Sequence, residues 1–401
     1  MGAKGDHGAA RDRGAGRTDR RDHYWDSARA LLMLLGIPYH AALAYKPGQE
    51  WIVVSGEGAS FFTYLSEFIH LFRMPAFFMI AGYFAALLLA RREPDVWLRA
   101  RLVRLSVPLV AAMLLLVPLM NFVTELSNLP LTQAVASFQH NSATSGGYWV
   151  RHLWFIIILL YCSIAAATVA WRRSALRTAL VGPRLDGWIA RNFPVVLLAM
   201  AILLGLWEAG AVELFYKAGL ATNLPQQVLR LDELIMFAPW FLLGCLIQRA
   251  PATLERMTRP SRAVAMVAVV ATGVSLWTLG QLSPPMGRFV GTVAGTALAQ
   301  MVFAGARAFL DRPIPLVQRL VSASFVIYLF HMPIIVTLIW LGQTVAVPVG
   351  VKAVAVMLLG LGLSYGVWLL VERSPLLSFL FDGQFRRAAP TMRIRTEARA
   401  A

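Results

Sequence analysis

Apolar runs of roughly twenty residues, separated by shorter polar or charged stretches, recur along this chain from residue 28 to residue 371. Wound as an α-helix, a run of that length matches the hydrocarbon core of a bilayer. Ten spans are predicted, at 28–45, 68–90, 104–123, 153–171, 194–212, 232–248, 263–280, 289–308, 321–342 and 348–371. The expected fold class is therefore all-α, a polytopic membrane protein built as a bundle of about ten transmembrane helices. Residues 1–25 are rich in Gly, Arg and Asp and too poor in apolar side chains to pack a core, so a disordered basic tail is expected there. The membrane domain is expected at 26–376 and a second basic tail at 377–401. The first apolar run is as long as a span and no small-residue cleavage site follows it, so a cleaved signal peptide is not expected.

Composition agrees: 58% of the 401 residues are hydrophobic and 14% charged. A net charge of +16 would suit nucleic acid, but the distribution of the cations gives another reading. With the N-terminus inside, thirty of the 37 Lys and Arg fall in the inner tails and loops. Outside lie only Lys46, Arg151, Lys217, Arg230, Arg288 and Lys352, and Arg73 sits near the start of the second span. That asymmetry predicts two cytoplasmic termini, with the lipid bilayer rather than nucleic acid as the partner. Cys162 and Cys245 lie in separate spans and supply neither a disulfide framework nor metal-ligand spacing, so no metal is expected. Oligomeric state cannot be read from the sequence.

Ionisable residues at membrane depth are costly, and each is weighed against a plain hydrogen bond inside the bundle. The first span, DSARALLMLLGIPYHAALAY, carries Arg29 and His40 eleven residues apart, three helical turns and roughly 16 Å along one face. Pro38 strips the Leu34 carbonyl of its helical donor, so this helix should face protein or water there. In SEFIHLFRMPAFFMIAGYF, Glu67, His70 and Arg73 follow at three-residue steps, so neighbours can pair along one helix face; Pro75 suggests a helix entry or kink. His152 and Trp154 open the fourth span, Trp154 reading equally as an interfacial aromatic. His331 lies halfway along the ninth span, and Pro333 suggests a second broken helix beside the same cavity. Arg101 and Arg104 share a face at the inner end of the third span, as topological charge or as a phosphate-binding edge. The outer stretch 124–152 reads as a ligand-facing surface or a plain connector. Gly291 and Gly295 suit close helix packing.

Taken together, Arg29-x10-His40, FIHLFRMPAFFMIAGYF, Arg101-x-x-Arg104-Leu105, His152-Leu153-Trp154-Phe155, Ser324 to His331 and the closing SPLLSFLFDG resemble the membrane-bound acyltransferase 3 family over nearly the whole length. Within it they resemble the succinyltransferases of osmoregulated periplasmic glucans. The resemblance implies a bacterial inner-membrane enzyme that takes an acyl group from a cytoplasmic donor, succinyl-CoA, and esterifies a sugar hydroxyl of periplasmic glucan. It implies a catalytic role for His40 and links Arg29, Arg101 and Arg104 to the acyl-CoA donor. No tightly bound cofactor is expected. The long Arg/Gly-rich segment before Tyr24 carries no family motif.

The physical chemistry is compatible with that assignment. A sugar hydroxyl needs a base to attack a thioester, which suits His40, while the donor's phosphates must stay near the arginines because they cannot enter hydrocarbon. The oxyanion needs donors, for which Arg73, His70, His331 or amides at the broken helices are open choices; alternatively Arg73 holds the free carboxylate of a succinyl group. Glu67 joins this set, and His152 with Trp154 is expected to meet the acceptor. Two rivals remain: an acyltransferase acting on another envelope polysaccharide, and a transporter or flippase that makes no bond.

Overall fold

The computed structural model describes residues 23–48, 51–220 and 224–384. Of the expected tails at 1–25 and 377–401, residues 1–22 and 385–401 lie outside the described residues. All regular structure among the described residues is helical. In chain order the helices are α1 (His23–Leu34), α2 (Gly36–Ala44), α3 (Ser60–Leu89), α4 (Pro94–Asn128), α5 (Leu131–Thr144), α6 (Gly147–Val150), α7 (Trp154–Arg172), α8 (Pro183–Arg191) and α9 (Phe193–Trp207). They continue as α10 (Glu213–Lys217), α11 (Leu224–Leu229), α12 (Leu231–Gln248), α13 (Pro251–Met257), α14 (Arg262–Trp277), α15 (Pro284–Leu310), α16 (Pro315–Gly342), α17 (Val349–Arg373) and α18 (Pro375–Asp382). Nine stretches of the described residues are long and apolar enough to cross a membrane, and ten if α13 and α14, bent by 57°, form one broken span. That matches the number read from the hydropathy pattern.

Boundaries moved outward from the sequence reading. α1 begins at His23, with Tyr24 and Trp25 buried, and α18 packs its Phe381 into the core. α3 starts eight residues early and runs unbroken through Pro75, so this proline is neither an entry nor a break. The outer stretch 124–152, read as a ligand-facing surface or a plain connector, is largely helical. Glu125 organises it, accepting from Ser137, Asn141 and Tyr148 at 2.7, 3.0 and 2.8 Å. Many outward side chains are apolar and exposed, Val195, Trp277 and Leu358 among them, as a lipid-facing surface requires.

The intramembrane prolines explain much of the helix arrangement. Each leaves the carbonyl four residues before it without a helical donor, and in hydrocarbon that carbonyl needs a neighbour. Pro239 frees Ile235, whose oxygen accepts from the indole of Trp207 at 2.8 Å. Pro75 frees Leu71, whose oxygen lies so close to Gly295 of α15 that a β-carbon there would stand 2.1 Å from it. Pro108 frees Arg104, against whose backbone Gly383 packs at the end of α18; Gly383 holds φ +62°, where a side chain would be strained. Pro333 frees Leu329, and the donor that meets it is His152, Nε2 to oxygen 3.4 Å.

α8 and α13 are joined by one carboxylate. Asp186 accepts from the amides of Ala252 and Thr253 at 2.8 and 2.9 Å and from the Thr253 hydroxyl at 2.7 Å, capping α13 from a neighbouring helix. Burial pushes the Asp186 carboxyl up, but the three donors outweigh it and hold it below its ordinary range. A lowered carboxyl stabilises the fold above its unfolded-state pKa and loses that contribution as pH falls through the folded value. Asp186→Ala is expected to lower the thermal midpoint in detergent at pH 7. That deficit should shrink below about pH 4, where the unfolded carboxyl also protonates; thermal unfolding of both proteins at neutral and acid pH checks it.

Candidate active site

The first span supplies the centre of the site because it is interrupted. α1 ends at Leu34 and α2 begins at Gly36, with Leu35 as a single turn residue. The flanking helical bonds survive, Leu35 N to Leu31 O and Tyr39 N to Leu35 O, so the defect is confined to the bond that Pro38 cannot make. Past the break, α2 presents Gly36, Tyr39 and His40 toward α3 and α16.

Three imidazoles form a row across three helices. The His40 and His331 rings are 5.3 Å apart, and the His331 and His152 rings 5.6 Å. His331 and His152 are buried, while His40 is half-buried with its Nδ1 sealed from solvent. Among the described residues no group of His, Cys, Asp and Glu is placed to hold a metal ion. The hydrogen bonds fix the tautomers of two rings. His331 Nδ1 lies on the carbonyl of Tyr328 and His152 Nε2 on that of Leu329; a carbonyl only accepts, so these nitrogens donate. His331 Nε2 and His152 Nδ1 are left with lone pairs, and neither has a hydrogen-bond partner among the described residues. His40 Nδ1 has none either. The Tyr328 hydroxyl closes the arrangement by donating to the backbone of His152.

Arg73 joins the row from α3. Its guanidinium lies over the Tyr39 ring at 4.5 Å, and its Nε has no hydrogen-bond partner among the described residues. Glu67 remains an electrostatic neighbour of His70, and each of Glu67, His70 and Arg73 also meets a partner from elsewhere. Glu67 binds Lys46 at 2.8 Å, and His70, exposed at the rim, stacks on Tyr39 with its Nδ1 3.4 Å from the hydroxyl. Tertiary contacts outbid the three-residue spacing because the neighbouring helix end brings a cation closer to Glu67. Trp154 stacks on Phe237 of α12, ring centroids 5.5 Å apart. Pro333 does not break α16, which runs on to Gly342, and His152 meets the freed carbonyl.

A loop covers His40 from the other side. Trp51 lies parallel to the imidazole, centroids 6.1 Å apart. Its segment is tied down by Ser55 N to Ala44 O, Ala59 N to Tyr45 O and the Gln343 side chain to Val54 O. Three turns away, Arg29 lies 3.6 Å from Asp26 and faces the Phe84 ring at 5.7 Å. Arg101 has both Arg29 and Arg104 as electrostatic neighbours, so three cations from two helices converge at the opposite end of the first span. The Arg101 Nε, buried, has no hydrogen-bond partner among the described residues. The sequence reading did not single out Tyr39, Trp51, Tyr328 or Gly36; the proline and glycine flanking His40 were the available signal.

A bilayer-spanning bundle whose first helix links an arginine cluster at one end to imidazoles that each keep one ring nitrogen without a partner among the described residues defines a multi-pass membrane protein with a built polar site. The model of the acyltransferase domain of the acyltransferase 3 family matches residues 22–373, and the chain belongs to that family. It is a membrane acyltransferase. Curated relatives named glucans biosynthesis protein C, from Salmonella paratyphi B and Salmonella dublin, are each 28% identical over 379 residues, 91% of this chain and 95% of theirs. The protein of that name from Salmonella paratyphi A is 29% identical over the same coverage. No solved structure matches the chain.

Proposed function

We propose that this protein transfers a succinyl group from succinyl-CoA to hydroxyls of a periplasmic glucan, in the bacterial inner membrane, with His40 as general base. The observation that carries this reading is the first span itself: it joins the Arg29, Arg101 and Arg104 cluster to His40, a half-buried imidazole with its Nδ1 unpartnered among the described residues. Phosphates of the donor suit guanidinium groups, and the extended pantetheine arm spans the distance that the phosphates cannot enter. The imidazole takes the proton of an otherwise poor nucleophile. The glucan acceptor is supported by the name of the relatives, and the succinyl donor by the family resemblance.

The test is purified protein in detergent with succinyl-CoA and a β-glucan acceptor. Release of free thiol in proportion to ester formed is expected. Ester on a lipopolysaccharide sugar but not on glucan would move the acceptor, and absence of thiol release with any acyl-CoA would remove the reading.

A further inference from the structure

A cavity of about 800 Å³ opens between α7, α9, α12 and the end of α3. It is separate from the site described above, since none of His40, His152, His331, Arg29, Arg101 and Arg104 lines it. The small side chains of Ala165, Ala166 and Ala238 recess its apolar walls into a groove, and Val169, Leu203 and Leu242 among the lining residues are exposed, so it is open to the bilayer. The lining residues of α12 run from Leu234 to Arg249, about 22 Å along the helix, against about 15 Å of hydrocarbon in one leaflet. A whole acyl chain fits in that length.

The two ends of the groove differ chemically. At one end the polar atoms are paired: the Trp207 indole donates to the Ile235 carbonyl at 2.8 Å, and the Tyr161 hydroxyl donates to that of Leu229 at 3.2 Å. At the other stands Arg249, whose guanidinium makes no ion pair or hydrogen bond among the described residues and whose Nε is sealed from solvent. Backbone bonds hold that end in shape. Val181 N donates to the Arg249 carbonyl at 2.8 Å, and Arg177 donates to the Leu89 and Arg92 carbonyls at 3.2 and 2.9 Å, which pins the segment 173–182 across the ends of α3 and α12. Arg172 and Arg173, between the lining residues Ala170 and Leu176, are exposed and have no carboxylate partner among the described residues.

We propose that this groove holds one acyl chain of an anionic membrane phospholipid, with the headgroup phosphate on Arg249. A trough that is apolar along its length, with unmet polar chemistry at one end, suits a ligand that is hydrocarbon in its body and charged at its tip. Three cations that no carboxylate balances select a net negative headgroup over one that carries its own ammonium. The second chain of the lipid stays in the bilayer.

The experiment titrates the purified full-length protein in detergent with phosphatidylglycerol or phosphatidylethanolamine of identical chains and counts bound lipid by native mass spectrometry. Wild type is expected to bind its first phosphatidylglycerol about tenfold more tightly than its first phosphatidylethanolamine, the strength of one charge-assisted contact. Arg249→Gln should erase that preference, and Ala165→Trp, which fills the groove, should lose the first bound lipid of either kind. Equal binding of the two lipids by wild type would overturn the proposal and leave Arg249 as a charge that sets topology. An unchanged preference in Arg249→Gln, or a first lipid retained by Ala165→Trp, would overturn it too. Tighter binding of a polyprenyl phosphate than of phosphatidylglycerol would replace the occupant and so refute the assignment. Thermal midpoints without added lipid show whether each variant is folded. Should Arg249→Gln melt early, Ala165→Trp decides with the wild-type ratio: a preference that survives the filled groove refutes the site, and one that disappears supports it.

Discussion

His40→Ala is expected to insert and accumulate like wild type while kcat for ester formation falls by roughly 10²- to 10⁴-fold. The imidazole is half-buried and its Nδ1 has no hydrogen-bond partner among the described residues, so its removal sacrifices little of the fold. His331→Ala should behave differently. That ring is fully buried, donates to Tyr328 and stands between the other two imidazoles, so its loss opens a cavity as well as removing a lone pair. Membrane abundance and the charge of the glucan in a producing strain separate the two cases. Unchanged anionic glucan in a His40→Ala strain would end the proposed mechanism.

The second large effect concerns assembly rather than chemistry. α3 and α12 touch backbone to backbone: a β-carbon at Gly82 would stand 1.9 Å from the Phe241 carbonyl oxygen, and one at Gly244 would stand 1.9 Å from that of Met79. The Cys245 thiol donates to the Gly82 carbonyl at 3.2 Å in the same contact. Backbone cannot swing aside as a rotamer can, so either alanine must push the two helices apart. Gly82→Ala and Gly244→Ala are each expected to cost about 3 kcal/mol, the upper end for overpacking and a large share of a marginal total. Because α3 also carries Arg73, activity should fall together with the thermal midpoint. Gly366→Ala, whose β-carbon meets nothing within 4 Å, is the comparison that should leave the midpoint near wild type. A wild-type midpoint in Gly82→Ala would refute the close approach.

These expectations divide by what a linear pattern can carry. The separation of Arg29 and His40 was legible because eleven residues on a helix is nearly a whole number of turns. For Glu67, His70 and Arg73 the spacing carried less: it shows which side chains are neighbours, not which further partners they meet. Lys46 took the carboxylate and Tyr39 took the other two. The prolines were half legible. Their sequence positions announce freed carbonyls, but not that His152 would satisfy one, Gly295 crowd a second and an indole take a third.

What the sequence determined by itself was the number of spans and the residues worth suspecting, since apolar length and the cost of charge in hydrocarbon are local properties. Only the tertiary structure decided which of those residues meet. It drew His40, His331 and His152 into one row, set Arg73 beside Gly36, fixed two tautomers through backbone carbonyls and collected three arginines at the far end of the same span. The physical reason is that a helix specifies its own face but not its neighbour's, and a site shared by α2, α3, α16 and the turn leading into α7 exists only once their packing has been chosen.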